Sequence, residues 1–337
     1  MINIVKTEIK YVIASFAAGF GLMALEITAT RIVAPYIGNS LYTWTAIIST
    51  VLFGSSIGYI LGGLAIDRQP KEKTVFYFAA GAGVLVFLIN IFASFLPKIA
   101  LSNMSVLAIS SLSAIILFLL PSILIGTISP CLLKLKAKDL SGVGFSAGVL
   151  SAFWSAGSVI GTILTGFLLV GIIGSQKIIV LVATIFLVIS LMFVHNRKVF
   201  LLAFLLLLTP LSSSPRDTLS LVYSKESDYY LIRVADKEIG SLGLVRALFL
   251  DFGSHSIESL EGKKIHNYPE SFPVFFKINP SIENIYLIGG GAQTLSKNIL
   301  SAHENVKIDS VEIDPKVNDV SKTYFETAAE SITHISG

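Results

Sequence analysis

The stretch that decides the fold of the C-terminal part is NIYLIGGGAQTLSKNILSAHENVKIDSVEIDP, which runs from Asn284 to Pro315. A short apolar run leads into three glycines, and the next residues place Leu295 and Ile299 on one face of a helix. A second apolar run then ends in two acids, Glu312 and Asp314. This order of strand, glycine turn, helix, strand and acid predicts half of a parallel, Rossmann-like sheet.

The glycine turn and the acid that follows it predict a binding site. Gly289, Gly290 and Gly291 allow the backbone to approach a ligand closely, and the following helix offers free N–H groups at its start. Glu312 lies 23 residues beyond Gly289, near the spacing of about 20 typical of an acid that binds both ribose hydroxyls. We interpret the stretch as a site for an adenosine-containing ligand; the alternative is a purely structural turn.

The composition divides the chain into two different parts. Of 337 residues, 53% are hydrophobic and only 14% are charged. Up to Pro210 there are 13 Lys and Arg against 5 Asp and Glu, a net charge of +8, whereas the remainder has 12 against 17, a net of −5. The bases of the first part lie in short loops between apolar runs, which argues against nucleic-acid binding. The single cysteine, Cys131, excludes an internal disulfide and shows no metal-site spacing.

The first part contains six apolar runs long enough to cross a bilayer, which takes about 20 residues. They are Tyr11–Ile37, Leu41–Ile66, Thr74–Leu96, Ser105–Ile128, Val143–Ile173 and Ile178–Val194. A seventh run, within residues 199–211, is short and either crosses the bilayer or lies flat on it, so the side that the last domain faces stays open. Lysines and arginines cluster in alternate loops, which predicts a multi-pass protein of the inner cell membrane with a cytoplasmic N-terminus.

Two ionisable pairs in the membrane part are functional candidates. Glu26 and Arg31 lie within the first run, where a charge costs about 2.5 to 3.5 kcal/mol, and five residues place them about 140° apart on a helix. Asp67 and Arg68 follow Gly63, and this segment resembles a loop of major facilitator transporters in which a glycine allows close helix packing. The alternatives are a buried structural acid in the first case and an ordinary positive-inside loop in the second.

Small residues in the fifth run predict close packing between helices. Gly157 and Gly161 are four residues apart, and glycines at this spacing let two helix backbones approach each other.

Stretches that together touch most of the chain resemble the membrane-fused members of the polyamine aminopropyltransferases, the spermidine synthase family. The membrane part carries the likeness in LEITATRIVAPYIGNSLYTWTAII, from Leu25, and in GGLAIDR; the later part carries it in ESDYYLIRV, LFLDFGSHS, LIGGGAQTL and VEIDPKVNDVSKTYF. The resemblance implies six or seven membrane helices followed by an incomplete α/β Rossmann-like domain with a small region of β-strands before it. We place the boundaries at 1–210 for the membrane domain, 211–217 for a linker, 218–282 for the strands and 283–337 for the nucleotide-binding half.

The resemblance also implies roles for individual residues. Gly289, Gly290 and Gly291 would line the aminopropyl donor, decarboxylated S-adenosylmethionine or S-adenosylmethionine itself, and Glu312 would bind its ribose. Asp314 would support the turn after the strand, and Tyr229 and Asp251 would lie near the donor or amine cleft. No prosthetic group or metal is implied.

Three positions depart from the soluble members of that family. Ala292 stands in place of an aspartate that helps to hold the amine end of the donor, Gln293 in place of a glycine, and His255 in place of a glutamine. The family also uses an acid on a later strand to accept the proton of the attacking amine, and we expect that strand to be missing before Gly337. We therefore assign no catalytic residue, and expect that a partner chain or a homo-oligomer completes the domain, or that it binds without turnover.

Two main functions remain open at this point. The first is a membrane-bound spermidine synthase-like transferase of polyamine biosynthesis, acting on an amine such as putrescine. The second is a transporter or ligand-sensing module of major-facilitator type, with a domain that binds a polyamine or nucleoside-like ligand without catalysis. A structural scaffold in the lipid bilayer is a third, simpler alternative.

Overall fold

The chain forms two compact units, Met1–Ser212 and Ser213–Gly337, in a computed structural model. The structure describes residues 2–100, 102–137, 142–194, 220–240, 243–251, 253–262, 272–325 and 331–336. The short apolar run expected at 199–211 and the linker expected at 211–217 lie outside these residues.

The first unit confirms the prediction of six helices long and apolar enough to cross a membrane, counted over the described residues. A 3₁₀ turn at Ala93–Phe95 interrupts the third helix, and π turns at Ile115–Leu119 and Thr165–Leu169 interrupt the fourth and fifth. The helices are α1 (Ile2–Ile37), α2 (Leu41–Arg68), α3 (Glu72–Ala100), α4 (Val106–Lys136), α5 (Val143–Ile173) and α6 (Ser175–Phe193).

The six helices pack most extensively as three pairs, α1 with α5, α2 with α4 and α3 with α6. The predicted role of Gly157 and Gly161 is confirmed, because a Cβ on either would clash with the backbone of Phe16 or Phe20 in α1. In α2 the equivalent face is built from Gly54, Gly58 and Gly62, which lie against α4 in the same way. Glycine faces therefore bring the backbones of two of the three pairs into contact.

The glycine that we singled out in α2 is the wrong one of two neighbours. A Cβ at Gly63 would meet nothing within 4 Å, whereas a Cβ at Gly62 would lie 2.6 Å from the Cα of Thr127. Adjacent residues on a helix point about 100° apart, so only one of the two can face α4.

Ion pairs connect the helices at one end of this unit. Lys10 at the start of α1 pairs with Glu72 at the start of α3, and its Nζ also lies 5.2 Å from the ring centroid of Tyr11. Asp67 near the end of α2 pairs with Lys134 of α4 at 2.9 Å. Both side chains of this second pair are more than half exposed, so it contributes at most about 1 kcal/mol.

The second unit begins with an antiparallel sheet in the order β1-β2-β3-β4. Ile232 and Val234 of strand β2 are fully buried. The strands are β1 (Ser220–Glu226), β2 (Leu231–Ile239), β3 (Gly243–Leu250) and β4 (Gly253–Ser259).

The second sheet of this unit is parallel, with the order β5-β6-β7. The strand, turn, helix and strand expected from Asn284 to Glu312 are confirmed, and the structure adds a third strand that we did not predict. Its elements, with a short helix before them, are α7 (Pro273–Ile278), β5 (Asn284–Ile288), α8 (Thr294–Ala302), β6 (Lys307–Glu312), α9 (Pro315–Tyr324) and β7 (Ile332–Ser336).

The two sheets of the second unit share an apolar core that positions the glycine turn. Ile232 and Leu248 of the antiparallel sheet pack with Val317 of α9 and with Ala292, which directly follows the glycines. Burying an aliphatic side chain stabilises the fold by about 1.5 to 3 kcal/mol. The core therefore fixes the end of β5 and the start of α9 against the antiparallel sheet.

Candidate functional site

The turn after β5 has the backbone geometry expected of a ligand-binding glycine turn. Gly289 and Gly291 adopt φ angles of +85° and +52°, a region that residues with a Cβ rarely occupy. The N–H of Gly289 still donates to the carbonyl of Val311 at 2.8 Å, so the turn begins where the parallel ladder ends. The three glycines thus face the carboxyl end of the sheet, where parallel α/β sheets bind ligands.

Glu312 lies at the end of β6 and contacts this turn directly. Its Oε2 accepts a hydrogen bond from the Gly291 N–H at 3.2 Å, and its Oε1 accepts one from the Ile313 N–H at 3.0 Å. The residue is only 5% exposed. A carboxylate has about four acceptor positions, so these two bonds leave acceptors for further donors such as ribose hydroxyls.

Gln293 holds the turn in place, a role that the sequence did not reveal. Its side chain is fully buried; its Nε2 donates to the Ser310 Oγ at 2.7 Å, and its Oε1 accepts from the Ser296 Oγ at 2.7 Å. The backbone of Gln293 has a φ of +56°, which costs about 1 to 2 kcal/mol for a residue with a Cβ. The two buried hydrogen bonds offset this strain and connect β6 to α8 beneath Gly290.

Asp314 caps the helix that follows the acid. Its Oδ1 accepts a hydrogen bond from the Lys316 N–H at 3.0 Å at the start of α9. The residue is 2% exposed, and its Oδ2 is buried without a hydrogen-bond partner among the described residues. A buried acceptor without a donor is costly, so this oxygen favours a cationic or hydrogen-bond-donating ligand nearby.

Asp251 lies in the turn between β3 and β4 and tightens the sheet beside the site. Its φ of +50° is left-handed, and its Oδ1 accepts a hydrogen bond from the Leu231 N–H at 2.8 Å. Tyr229, which we expected in the same cleft, is 43% exposed, and its ring centroid lies 6.3 Å from that of Tyr230.

Tyr230 lies among the acids of the site, a placement that no motif in the sequence indicated. Burial raises the pKa of its phenol, and the carboxylates of Glu312, Asp251 and Asp314 raise that pKa further. Tyr223 of β1 behaves alike: burial first, then Tyr324 and the carboxylates of Asp319 and Asp314, raise the pKa of its phenol. Both phenols therefore stay protonated at neutral pH and can donate a hydrogen bond to a ligand. The cluster of Asp251, Glu312, Asp314, Tyr223 and Tyr230 is called the acid–tyrosine cluster below.

The positions at which the chain differs from the soluble members of the family have different structural roles. Ala292 is fully buried in the apolar core, and its N–H donates to the Ser256 Oγ of β4 at 3.1 Å. His255 is exposed. The position after the glycines thus connects the turn to the antiparallel sheet and presents no charged group to a ligand.

The candidate residues of the membrane part show no recorded contact with one another among the described residues. Glu26 is partly buried in α1, and within the described residues no polar contact to its carboxylate is found. Arg31 is partly buried and has interactions of its own. Asp67 forms the ion pair with Lys134, whereas Arg68 is exposed.

Two solved structures are similar to part of the chain. The crystal structure of spermidine synthase from Thermotoga maritima and that of spermidine synthase in complex with the transition-state analogue AdoDATO are each 24% identical to it, with TM-scores of 0.29 and 0.28. In each case the match covers 35% of this chain and 40% of the other. No family model and no curated protein matches the sequence. The chain therefore spans well under half the length of the solved proteins that it matches.

Proposed function

We propose that the protein is a membrane-bound, spermidine synthase-like transferase whose second unit binds an adenosine-containing sulfonium, decarboxylated S-adenosylmethionine, at the glycine turn. The reaction would transfer the aminopropyl group to a polyamine such as putrescine, with any missing part of the site supplied by a partner chain or a second copy. The six apolar helices would hold the protein in the cell membrane.

One observation carries this proposal, the hydrogen bond from the Gly291 N–H to the Glu312 carboxylate at 3.2 Å. It joins the glycine turn and the acid at the end of the next strand in a single site, which is the arrangement that binds a ribose beside a turn. The acid–tyrosine cluster adds negative potential around that site, which favours a sulfonium and an ammonium over neutral or anionic ligands.

The chemistry requires little from the protein besides binding, orientation and proton removal. The amine nitrogen attacks the carbon beside the sulfonium, a C–N bond forms, and the C–S bond breaks with its electron pair left on sulfur. The products are the extended amine and methylthioadenosine, and the nitrogen loses one proton to a base. The protonated phenols of Tyr223 and Tyr230 can donate hydrogen bonds to the ligands but do not accept that proton at neutral pH.

The test is a product assay on the full chain purified in detergent, with decarboxylated S-adenosylmethionine and putrescine as substrates. The proposal predicts equimolar methylthioadenosine and spermidine by mass spectrometry, and a loss of at least about tenfold in kcat/KM for Glu312→Ala. Asp309→Asn is the matched control, because Asp309 lies three residues earlier on β6 and points to the opposite face of the sheet. Absence of both products from the wild type would contradict a transferase.

A second candidate, a transporter or ligand-sensing module, is favoured by Glu26, which is partly buried in α1 without a polar partner among the described residues. An acid in such a position usually faces a partner or a cavity. In proteoliposomes, Glu26→Gln would abolish uptake of labelled putrescine under this candidate. Under the transferase proposal the same variant would retain most product formation, so the two assays together distinguish the functions.

A further inference from the structure

A groove opens at the end of the first unit where α2 and α3 meet. It has a volume of about 300 Å³ and is lined by Ala65, Arg68, Gln69, Thr74, Tyr77 and Phe78. Since α2 ends at Arg68 and α3 begins at Glu72, the groove lies beside the loop that connects them. Neither the transferase chemistry nor Glu26 involves this region.

The polar end of the groove carries positive charge without a counter-ion. Arg68 is exposed, and no carboxylate among the described residues pairs with it. The neighbouring Asp67 pairs instead with Lys134 at 2.9 Å. The first turn of α3 also contains Glu72, whose carboxylate pairs with Lys10, so the free positive charge at the groove is that of Arg68. A guanidinium matches the geometry of a phosphate group better than an ammonium does, because it donates two parallel hydrogen bonds.

A second donor and a fixed loop lie beside the guanidinium. Gln69 is exposed, which leaves its side-chain amide available to an anion. The Thr74 hydroxyl donates to the Gln69 carbonyl at 2.9 Å, and the Lys71 N–H donates to the same carbonyl at 2.7 Å. These bonds fix the loop, so Arg68 and Gln69 face a ligand from a rigid support.

The other end of the groove is apolar. Tyr77 is 66% exposed, and Ala65 and Phe78 complete the wall. Leu61, which is 46% exposed, lies one turn before Ala65 on the same face of α2. A polar, cationic end that leads into an apolar wall suits an amphipathic anion, whereas a free phosphate would use only the polar end.

We propose that this groove binds an anionic phospholipid, with its phosphate on Arg68 and Gln69 and an acyl chain along Tyr77 and Leu61. Basic pockets between membrane helices recognise anionic headgroups in this way. The inference rests on the membrane insertion stated under the proposed function, and is independent of the nucleoside site.

The experiment is native mass spectrometry of the full chain in a neutral detergent, titrated with phosphatidylglycerol or with phosphatidylcholine. The wild type should bind phosphatidylglycerol in preference to phosphatidylcholine, and Arg68→Gln should weaken that binding by about tenfold. Lys71→Gln is the matched control, because it removes the same charge from the same loop at a residue that does not line the groove. It should leave the binding nearly unchanged.

Three outcomes would overturn the assignment. Equal loss of phosphatidylglycerol binding in Arg68→Gln and Lys71→Gln would mean that the lipid is attracted to a basic loop and not bound in the groove. Equal binding of phosphatidylglycerol and phosphatidylcholine by the wild type would show that the site has no preference for an anion. Competition by glycerol phosphate at the same concentration as the lipid would make the site one for a free phosphate. Sedimentation of both variants with the membrane fraction separates failure of this inference from failure of membrane insertion.

Discussion

The buried carboxamide of Gln293 gives the most quantitative prediction about the glycine turn. Gln293→Ala removes two hydrogen bonds of 2.7 Å and leaves the hydroxyls of Ser296 and Ser310 without these partners. Each lost bond costs about 1 kcal/mol, and a buried hydroxyl without a partner costs about 1 kcal/mol or more. We expect the free energy of opening of β6 to fall by about 2 to 4 kcal/mol.

Replacement by glycine separates the hydrogen bonds from the backbone strain. Gln293→Gly loses the same two bonds, but relieves the left-handed φ of +56°, which is worth about 1 kcal/mol or slightly more. Gln293→Gly should therefore be less destabilising than Gln293→Ala by about 1 kcal/mol. The double variant Gln293→Ala/Ser310→Ala should lose clearly less stability than the sum of the losses in the two single variants, because the two side chains share one hydrogen bond.

The assay is native-state hydrogen exchange of the full chain in detergent, read by mass spectrometry on peptides that cover Lys307–Glu312. Tryptophan fluorescence would not report this event, since both tryptophans, Trp44 and Trp154, belong to the helical unit. The reasoning is refuted if glycine destabilises β6 as much as alanine does, or if the alanine variant loses less than about 0.5 kcal/mol.

Three further predictions concern packing, titration and a side-chain fork. Gly161→Leu should destabilise the packing of α1 against α5 by about 1 to 3 kcal/mol or more, which thermal unfolding in detergent would measure. Gly148→Leu is the control, because a Cβ at Gly148 meets nothing within 4 Å, and it should leave the melting temperature unchanged. Burial and nearby carboxylates raise the pKa of the Tyr230 phenol above its ordinary value of 10.0. The protonated phenol therefore contributes fully to stability below about pH 10, and this contribution is lost as the pH rises through the raised pKa. Tyr230→Phe should reduce the fall in melting temperature above about pH 10. The same fall in the variant as in the wild type would contradict the placement of the phenol. Arg246→Lys should lower the free energy of opening of β2 and β3, measured by hydrogen exchange, by about 1 to 2 kcal/mol. The substitution breaks the bidentate contact of the guanidinium with Asp236, at 2.7 and 2.8 Å. An unchanged exchange rate would show that the bidentate contact is not needed.

Long patterns in the sequence predicted the main elements because they carry a strong periodic signal. The six apolar runs became six helices, and the two glycines of the fifth run that are four residues apart became a contact face. The glycine turn and Glu312 were also found, because a strand, three glycines and an acid at fixed spacing leave few alternative folds. Short or isolated features were harder to predict. Strand β7 has only five residues, Ile332–Ser336, and its sequence ITHIS shows no regular alternation of apolar and polar residues.

One error in the helical unit is a shift by a single residue. Gly63 was chosen where Gly62 contacts α4, whereas the placement of Tyr229 near the cleft stays a prediction. Neighbouring residues point to different sides of a strand or helix, so motif matching alone does not decide between them. The role of Gln293 was missed for another reason, since glutamine is not typical of a left-handed backbone and its partners are distant in sequence.

The central claim is that the glycine turn and Glu312 bind an adenosine-containing ligand. Isothermal titration calorimetry of the full chain with methylthioadenosine, and then with decarboxylated S-adenosylmethionine, tests it most directly. We predict saturable binding that Glu312→Ala weakens by at least about tenfold and that Asp309→Asn leaves unchanged. Absence of binding by both ligands, or equal dissociation constants for the wild type and Glu312→Ala, would contradict the account.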